Sequence, residues 1–211
     1  MISSLRLINF RCFDTLVLNF PKSGAVIVGA NAHGKTSILE AVCVMVRLHS
    51  PRSTRLGKIV KVEQVGFGVA GKAWGAELQV NFGSRKGVEM KVDDELVPRQ
   101  SDYLGLGGLI VWMGNDDLEL VRGSGRARRR YLDFIGCQLD PAYRDHLNRY
   151  NRVLKARNLL LKDRSLRESE IAAYTELLIK HGKFVSESRS ALVEMLNPEA
   201  VKAQHQVSAC D

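Results

Sequence analysis

The chain of 211 residues lacks the cysteine and histidine patterns of metal-binding and disulfide-rich proteins. Its four cysteines lie far apart and form no CxxC, and its five histidines form no HxxxH or HExxH pair. These absences argue against a zinc site and a disulfide scaffold, and they fit a reducing cytosol. We therefore expect a cytoplasmic protein.

Long apolar runs are also missing. The first residues, MISSLRLINFRCF, contain no apolar stretch of the secretory type. The longest apolar runs, such as LIVWM at residues 109–113, are far too short to cross a bilayer. The sequence predicts a soluble intracellular protein with no membrane partner.

Positive charge is in excess. The chain has 31 lysines and arginines against 23 acidic residues, a formal net charge of +8 and an isoelectric point near 9.5. This balance favours an anionic partner, nucleic acid first and an acidic membrane surface second, although solubility alone is an alternative explanation. A hydrophobic content of 45% is enough for a sizeable core and one or two domains.

Hydrophobic patterns predict strands in the first half of the chain. Residues 5–10 and 16–20 alternate, and residues 76–97 have the pattern of an antiparallel hairpin. Residues 25–28 and 109–113 are continuously apolar, which predicts strands buried on both faces, as in a parallel sheet. These patterns together indicate a mixed sheet.

The pattern changes to a helical period at residues 35–48 and again after residue 125. Asp140 is the predicted N-cap of a helix with Pro141 in its first position. A capping box, SLRE at residues 165–168, precedes a second helix, which Asn197-Pro198 is expected to end. Because both helices have heptad spacing, they predict an antiparallel helical hairpin.

Residues 29–36, GANAHGKT, match the phosphate-binding pattern G-x-x-x-x-G-K-[ST]. Glycines let consecutive N–H groups face one phosphate, and the following helix adds its positive N-terminal dipole. Lys35 is placed to reach the β- and γ-phosphates, and the Thr36 hydroxyl is the expected Mg²⁺ ligand. The predicted ATP-binding residues run along this loop: Gly29, Ala30, Asn31, Ala32, His33, Gly34, Lys35, Thr36 and Ser37. The alternative is a glycine turn with an accidental lysine.

The loop alone does not identify the class of nucleotide-binding protein. The base-reading motif N-K-x-D of GTPases is absent, and the D-x-x-G at residues 133–136 lies in a predicted helix. A small-molecule kinase usually closes an arginine-bearing lid over its substrate. The helical hairpin is not an obvious lid of this kind, and the kinase stays as an alternative.

Several blocks together resemble the RecF family of bacterial recombination-repair ATPases, which is related to SMC and ABC-type heads. The Arg-rich block resembles the family's D-L-x-L-V-K-G-S-P-x-x-R-R-R-F-L-D, and a helical segment resembles its Y-N-x-x-L-K-x-R-N. The blocks that carry the resemblance are LRLINFRCFDTLVLNF, VGANAHGKTSILEAV, DDLELVRGSGRARRRYLD, YNRVLKARNLLLK and YTELLIKHGKFVSESRSALVEMLNP.

The resemblance implies an α/β P-loop ABC/SMC-type head with an antiparallel β subdomain at residues 1–137. An incomplete helical lobe with the hairpin follows at residues 138–211. It also implies ATP-dependent binding to DNA at gaps and single-strand/duplex junctions, recombinase loading and support of the SOS response. The implied partners are DNA, a second copy in an ATP-dependent homodimer, and mediator proteins such as RecR.

Some positions depart from the family's pattern. Gly125 and Gly114 stand where the family often has proline, and Ala32 replaces a more frequent glycine. The larger departure is the absence of a Walker B acid pair and an S-G-x-Q signature; Asp116 in LIVWMGNDD is a poor substitute because no glutamate follows directly as a general base. The family's Walker B follows the helical lobe, so the chain resembles the first half to two-thirds of the family. We expect nucleotide binding without hydrolysis, because a carboxylate that activates water is missing.

The basic segment RGSGRARRR at residues 122–130 contains five arginines and no acid. Arginine suits phosphate oxygens, so Arg126, Arg128, Arg129 and Arg130 are candidate DNA contacts, and the basic hairpin at 141–167 is another. The alternatives are that the arginines pair with Asp116, Asp117 and Asp133, or that the hairpin is a solvated face. No interleaved aromatic residues are available to stack bases, which predicts contact to the DNA backbone.

Arg11, in the N-F-R of the first block, is a further candidate nucleotide contact. The resemblance implies this role, because the corresponding arginine of SMC-like heads lies near the nucleotide; an exposed turn arginine is the alternative. Two other functions stay open for the whole chain: a stand-alone P-loop kinase or NTPase, and a non-catalytic interaction fragment.

Overall fold

The computed structural model describes residues 1–53, 55–114, 117–162 and 168–208. Packing divides the chain into two compact units, residues 1–112 and 113–211. This division differs from the domain boundary predicted between residues 137 and 138, which stays a prediction.

Unit 1 is built on one six-stranded sheet in the order β2-β1-β3-β4-β5-β6, and every neighbouring pair is antiparallel. Leu7 lies opposite Leu16 on one side and Val69 on the other. The hairpin predicted within residues 76–97 is confirmed. The strands are β1 (Ser4–Phe10), β2 (Phe13–Asn19), β3 (Gly66–Ala73), β4 (Ala76–Gly83), β5 (Gly87–Val92) and β6 (Glu95–Leu96).

One face of the sheet and helix α1 (Lys35–Arg47) form the core of unit 1. Alternate strand residues such as Leu5 and Leu7 are buried because the side chains of a strand point to opposite faces. Helix α2 (Gln100–Leu106) joins this core through Tyr103, whose hydroxyl donates to the Met45 carbonyl at 2.6 Å.

The two continuously apolar segments are not strands, so this part of the prediction is wrong. Residues 25–28 and 109–113 pair with no strand in the described part of the chain. Val28 is 86% exposed and Val111 is 91% exposed, whereas Ile27 and Ile110 pack on the core. An apolar run becomes a doubly buried strand only where neighbouring strands and a second covering layer exist, and the run itself does not encode them.

Unit 2 is helical, with α3 (Leu118–Arg122), α4 (Gly125–Leu139), α5 (Pro141–Leu160) and α6 (Glu168–Ser208). The side chain of Asp140 accepts from Ala142 N and caps α5, as predicted. The antiparallel hairpin of α5 and α6 is confirmed: Arg157 Nε donates to Thr175 Oγ1 at 2.8 Å. This hydrogen bond explains how the charged Arg157 is accommodated among the apolar heptad positions of α5.

The predicted end of the second helix at Asn197-Pro198 is wrong, because α6 continues through Pro198 to Ser208. Proline removes one backbone donor and clashes with the preceding turn, which usually kinks a helix but does not always end it. Residues 165–167 of the predicted capping box lie outside the described residues.

Asp133 ties three helices of unit 2 together. Arg189 on α6 donates to both of its carboxylate oxygens, at 2.9 and 3.0 Å, and the buried Tyr143 of α5 donates its hydroxyl to the same group. Burial first, and then the bond to Asp133, raises the pKa of the Tyr143 hydroxyl. The D-x-x-G at residues 133–136 is therefore helical, as expected, and its aspartate is structural.

Candidate nucleotide-binding site

The predicted phosphate loop lies directly before α1. Lys35 is the first residue of the helix, and its Nζ donates to the carbonyl oxygens of Gly29 at 2.8 Å and Ala30 at 2.7 Å. The ammonium group is therefore held against the first two residues of the loop, which precedes the helix. Helix N-termini bind anions because these amides have no partner within the helix and the dipole is positive there.

Gly34 has no room for a side chain. Its φ is 82°, and an added Cβ would lie 2.5 Å from Phe13 Cζ and 2.6 Å from Cys12 Sγ. The turn between β1 and β2 thus packs against the phosphate loop. Ala32 also has a left-handed φ, 66°, which explains why glycine is more frequent at this position: a residue with Cβ loses about 1 kcal/mol there.

The other residues of the loop differ in exposure. Asn31, Ala32 and His33 are exposed, and so is Thr36, whose hydroxyl is accessible at the first turn of α1. Ser37 is only 7% exposed. Because so little of Ser37 reaches the surface, its backbone N–H in the first turn of α1 is the group that a phosphate could meet.

The half-buried Arg11 forms an ion pair with the fully buried Glu40 of α1. Its Nε and Nη2 donate to the two carboxylate oxygens at 2.9 and 2.7 Å, and its Nη1 donates to the Lys58 carbonyl at 3.0 Å. Glu40 is fully buried and also accepts from Ser50 Oγ and, at 3.4 Å, from Arg52 Nη1. Arg11 is therefore not an exposed turn arginine, and its contact with nucleotide stays a prediction.

Sequence reasoning missed Glu40, Ser50 and Arg52. A signal was present: Glu40 is the only charged residue between Lys35 and Arg47, and it stands in an otherwise apolar helix. A carboxylate at such a position needs partners, because burying an unpaired charge is very unfavourable. The identity of those partners follows only from the fold.

Cys43, near Glu40, is not a nucleophile. Burial, and then the charge of Glu40, raises the pKa of its thiol to about 12. The thiolate, which is the reactive form of cysteine, is therefore scarce at neutral pH. No group of three or more histidine, cysteine, aspartate or glutamate side chains that could hold a metal ion occurs among the described residues.

The arginines of α4 do not pair with Asp117 or Asp133, the two suggested acids that lie among the described residues. Arg128 Nη1 donates to the carbonyls of Leu120 at 3.3 Å and Gly123 at 3.1 Å, so this arginine supports the end of α3. Asp133 is occupied by Arg189, Asp117 Oδ2 accepts from Gly114 N, and Asp116 lies outside the described residues. The side chains left without an ion pair in the described part of unit 2 include Arg126, Arg129 and Arg130, which are exposed.

None of the described helices is both long enough and apolar enough to cross a membrane. The comparison with protein families matches residues 4–187 to the family described as "AAA domain".

Curated relatives are named DNA replication and repair protein RecF. The relative from Exiguobacterium is 35% identical over 85% of this chain and 50% of its own length. A relative from Synechococcus is 33% identical over 97% of this chain and 56% of its own length. The chain thus spans about half the length of the curated relatives it matches.

Solved structures share the fold. The structure of the recombination mediator protein RecF-ATP in the RecFOR pathway has a TM-score of 0.86 at 24% identity, covering 99% of this chain and 58% of that one. A structure from work on ATP-driven dimerization and DNA-stimulated activation of SMC ATPases has a TM-score of 0.50 at 20% identity, covering 64% of this chain and 98% of that one. The predicted fold class, a P-loop head of the ABC/SMC type with a helical lobe, is confirmed. The chain belongs to the AAA domain family, and its resemblance to RecF, the DNA replication and repair protein, is confirmed over the shared part.

Proposed function

We propose that this chain is an ATP-binding component of DNA replication and recombination repair, of the RecF type. The observation that carries the proposal is the loop at residues 29–36, where the Lys35 ammonium lies across the loop carbonyls at the start of α1. The crowded Gly34 lets the loop pack against Phe13 and Cys12, where a side chain would not fit. The proposed process, DNA replication and repair, comes from the names of the curated relatives.

The residues of the loop fit ATP with Mg²⁺. Main-chain amides and Lys35 would hold the β- and γ-phosphates, and the exposed Thr36 hydroxyl would bind the metal ion. When bound, Mg²⁺ neutralises phosphate charge. Arg11, next to the residues that pack on Gly34, is the proposed additional contact.

The proposed cellular role is binding to DNA at gaps and single-strand/duplex junctions, in an ATP-dependent way. Exposed Arg126, Arg129 and Arg130 provide cationic donors for phosphates, with Arg128 a weaker candidate because of its bonds to α3. ATP would join two copies in a homodimer in the cytoplasm. Mediator proteins such as RecR would then load recombinase, which supports the SOS response.

Calorimetry tests nucleotide binding. We expect Mg-ATP to bind the wild-type chain, and Lys35→Ala to weaken binding at least tenfold, because the ammonium group is lost from the phosphate site. Lys72→Ala is the matched control, since it removes an exposed lysine from β3 of the same unit. Absence of heat and of any thermal stabilisation with wild-type protein at millimolar Mg-ATP would refute the proposal.

A further inference from the structure

The face of α5 that points away from α6 carries a line of exposed side chains, four of them polar or basic, which continues into the turn after the helix. Its members are spaced at i, i+4, i+7, i+11 and i+14, which places them along one side of a helix. We call it the outward stripe, and it consists of Asn148, Arg152, Lys155, Leu159 and Lys162, all exposed.

The opposite side of α5 is buried in the hairpin. Tyr143 is 1% exposed and Val153 is 9% exposed. His146 contacts His181, and Arg157 bonds to Thr175. Because these residues fix the direction in which α5 packs, the outward stripe faces away from α6.

The cations of the outward stripe have no acidic partner among the described residues. This differs from α6, where Lys183 pairs with Glu187 and Lys202 pairs with Glu199. Among the described residues, the ion pair of α5 lies at the border of the stripe, between Arg149 and Asp145. A helix face that is only solvated usually alternates the sign of its charges, as α6 does.

The numbers of basic and acidic residues also differ between α5 and α6. Helix α5 contains five arginines and lysines with a single acid, whereas α6 contains four basic residues and six glutamates. Such an excess of positive charge on one helix is typical of a surface that binds a polyanion.

We infer that the outward stripe of α5 binds the phosphate backbone of duplex DNA. This inference rests on the proposed function and assigns a DNA surface beyond the arginines of α4. The stripe spans about 21 Å at 1.5 Å per residue, which corresponds to about six base pairs at 3.4 Å each. Arginine and lysine supply the charge, Asn148 supplies a neutral donor, and no aromatic residue in the stripe could stack on a base.

The test uses fluorescence anisotropy with a fluorescein-labelled gapped duplex, Mg-ATP and 50–300 mM NaCl. The variant Arg152→Gln/Lys155→Gln removes two charges from the stripe. We expect its dissociation constant to rise about tenfold, and the slope of log K against log salt to fall in magnitude by about 2, since each phosphate contact contributes about 0.9.

The matched control is Lys180→Gln/Lys183→Gln, which removes the same charge from α6. We expect its affinity to stay within about twofold of wild type. A charge-conserving variant, Arg152→Lys/Lys155→Arg, separates charge from structure and should bind as wild type does. Circular dichroism at 222 nm follows the helices of all three variants.

The outcomes separate the two proposals. If wild-type protein binds the DNA and the stripe variant keeps its affinity and salt slope, the inference about α5 is wrong and the proposed function stands. Equal losses in the stripe variant and the α6 control, or a loss in the charge-conserving variant, would also contradict it. If wild-type protein with Mg-ATP does not bind the DNA, the proposed function itself fails.

Discussion

At the scale of single residues, Glu40 connects three separate parts of unit 1. Its fully buried carboxylate accepts hydrogen bonds from Arg11 in the β1–β2 turn and from Ser50 and Arg52 after α1. The side chains that follow Arg11 pack against Gly34 of the phosphate loop. The carboxylate of Glu40 on α1 thus binds the β1–β2 turn, which packs on the phosphate loop, and the segment after α1.

Replacing Glu40 with glutamine should destabilise unit 1 strongly. The side chains of Arg11 and Arg52 are 25% and 43% exposed, so water solvates the charges that remain. The expected cost is that of the charge-assisted hydrogen bonds to the buried carboxylate, about 1.5–3 kcal/mol. Urea denaturation followed by tryptophan fluorescence measures this directly, since Trp74 and Trp112, the only tryptophans, both belong to unit 1. The control is Asp14→Asn, which breaks the surface pair with Lys61 and should change stability by less than about 1 kcal/mol. Similar effects of the two variants would contradict this account of Glu40.

At the scale of elements, the hairpin of α5 and α6 contains a pair of histidines. His146 Nδ1 and His181 Nδ1 are 3.3 Å apart, and the His146 ring stacks on Phe184. In the neutral pair one ring donates and the other accepts. When both rings are protonated, two N–H groups and two positive charges face each other, so the hairpin disfavours the doubly charged state.

The stability of unit 2 should therefore fall in mild acid. Burial, and then His146, lowers the pKa of His181; Arg149 and Lys180 lower it further, and Asp145 opposes them. The His181 ring therefore binds a proton more readily in the unfolded chain than in the folded one. Its contribution to the free energy of unfolding is complete above about pH 6.5, the ordinary pKa of histidine, and is lost as the pH falls below that value. Thermal melts at 222 nm between pH 7.5 and 5 measure the effect.

Two variants identify the histidines responsible for this pH dependence. His146→Gln, which removes the ring that lies against His181, should weaken the pH dependence, while the part that comes from the burial of His181 remains. His205→Gln, at an exposed position of α6, should keep the wild-type profile. An unchanged profile in His146→Gln would show that the contact between the two histidines does not contribute to the acid sensitivity.

At the scale of the whole molecule, the chain combines a phosphate-binding loop with a net charge of +8, while it spans about half the length of its curated relatives. Its sequence contains no S-G-x-Q signature, and its one aspartate-glutamate dipeptide, Asp94-Glu95, follows β5, which is charged rather than apolar. Binding of ATP requires the loop, whereas hydrolysis requires a carboxylate that positions water and groups that stabilise the transition state.

We therefore expect this polypeptide to bind Mg-ATP with very slow turnover. Phosphate release at millimolar ATP should not exceed the background of Lys35→Ala protein. A Lys35-dependent rate in the ordinary range for phosphoryl transfer, about 1–100 s⁻¹, would contradict this expectation and indicate an unrecognised general base.

The sequence by itself predicted those parts of this protein that depend on local chemistry. The phosphate loop, the amphipathic α1, the hairpin at residues 76–97 and the Asp140-Pro141 start of α5 depend on neighbouring residues and short periods, which a sequence displays directly. The contacts of Glu40 with Arg11 and of Asp133 with Arg189 join residues 29 and 56 positions apart, and no local pattern records them. Residues 25–28 were predicted as a buried strand, but strand pairing depends on distant segments. The fold alone shows that Val26 and Val28 are exposed, because burial is a property of what packs against a residue.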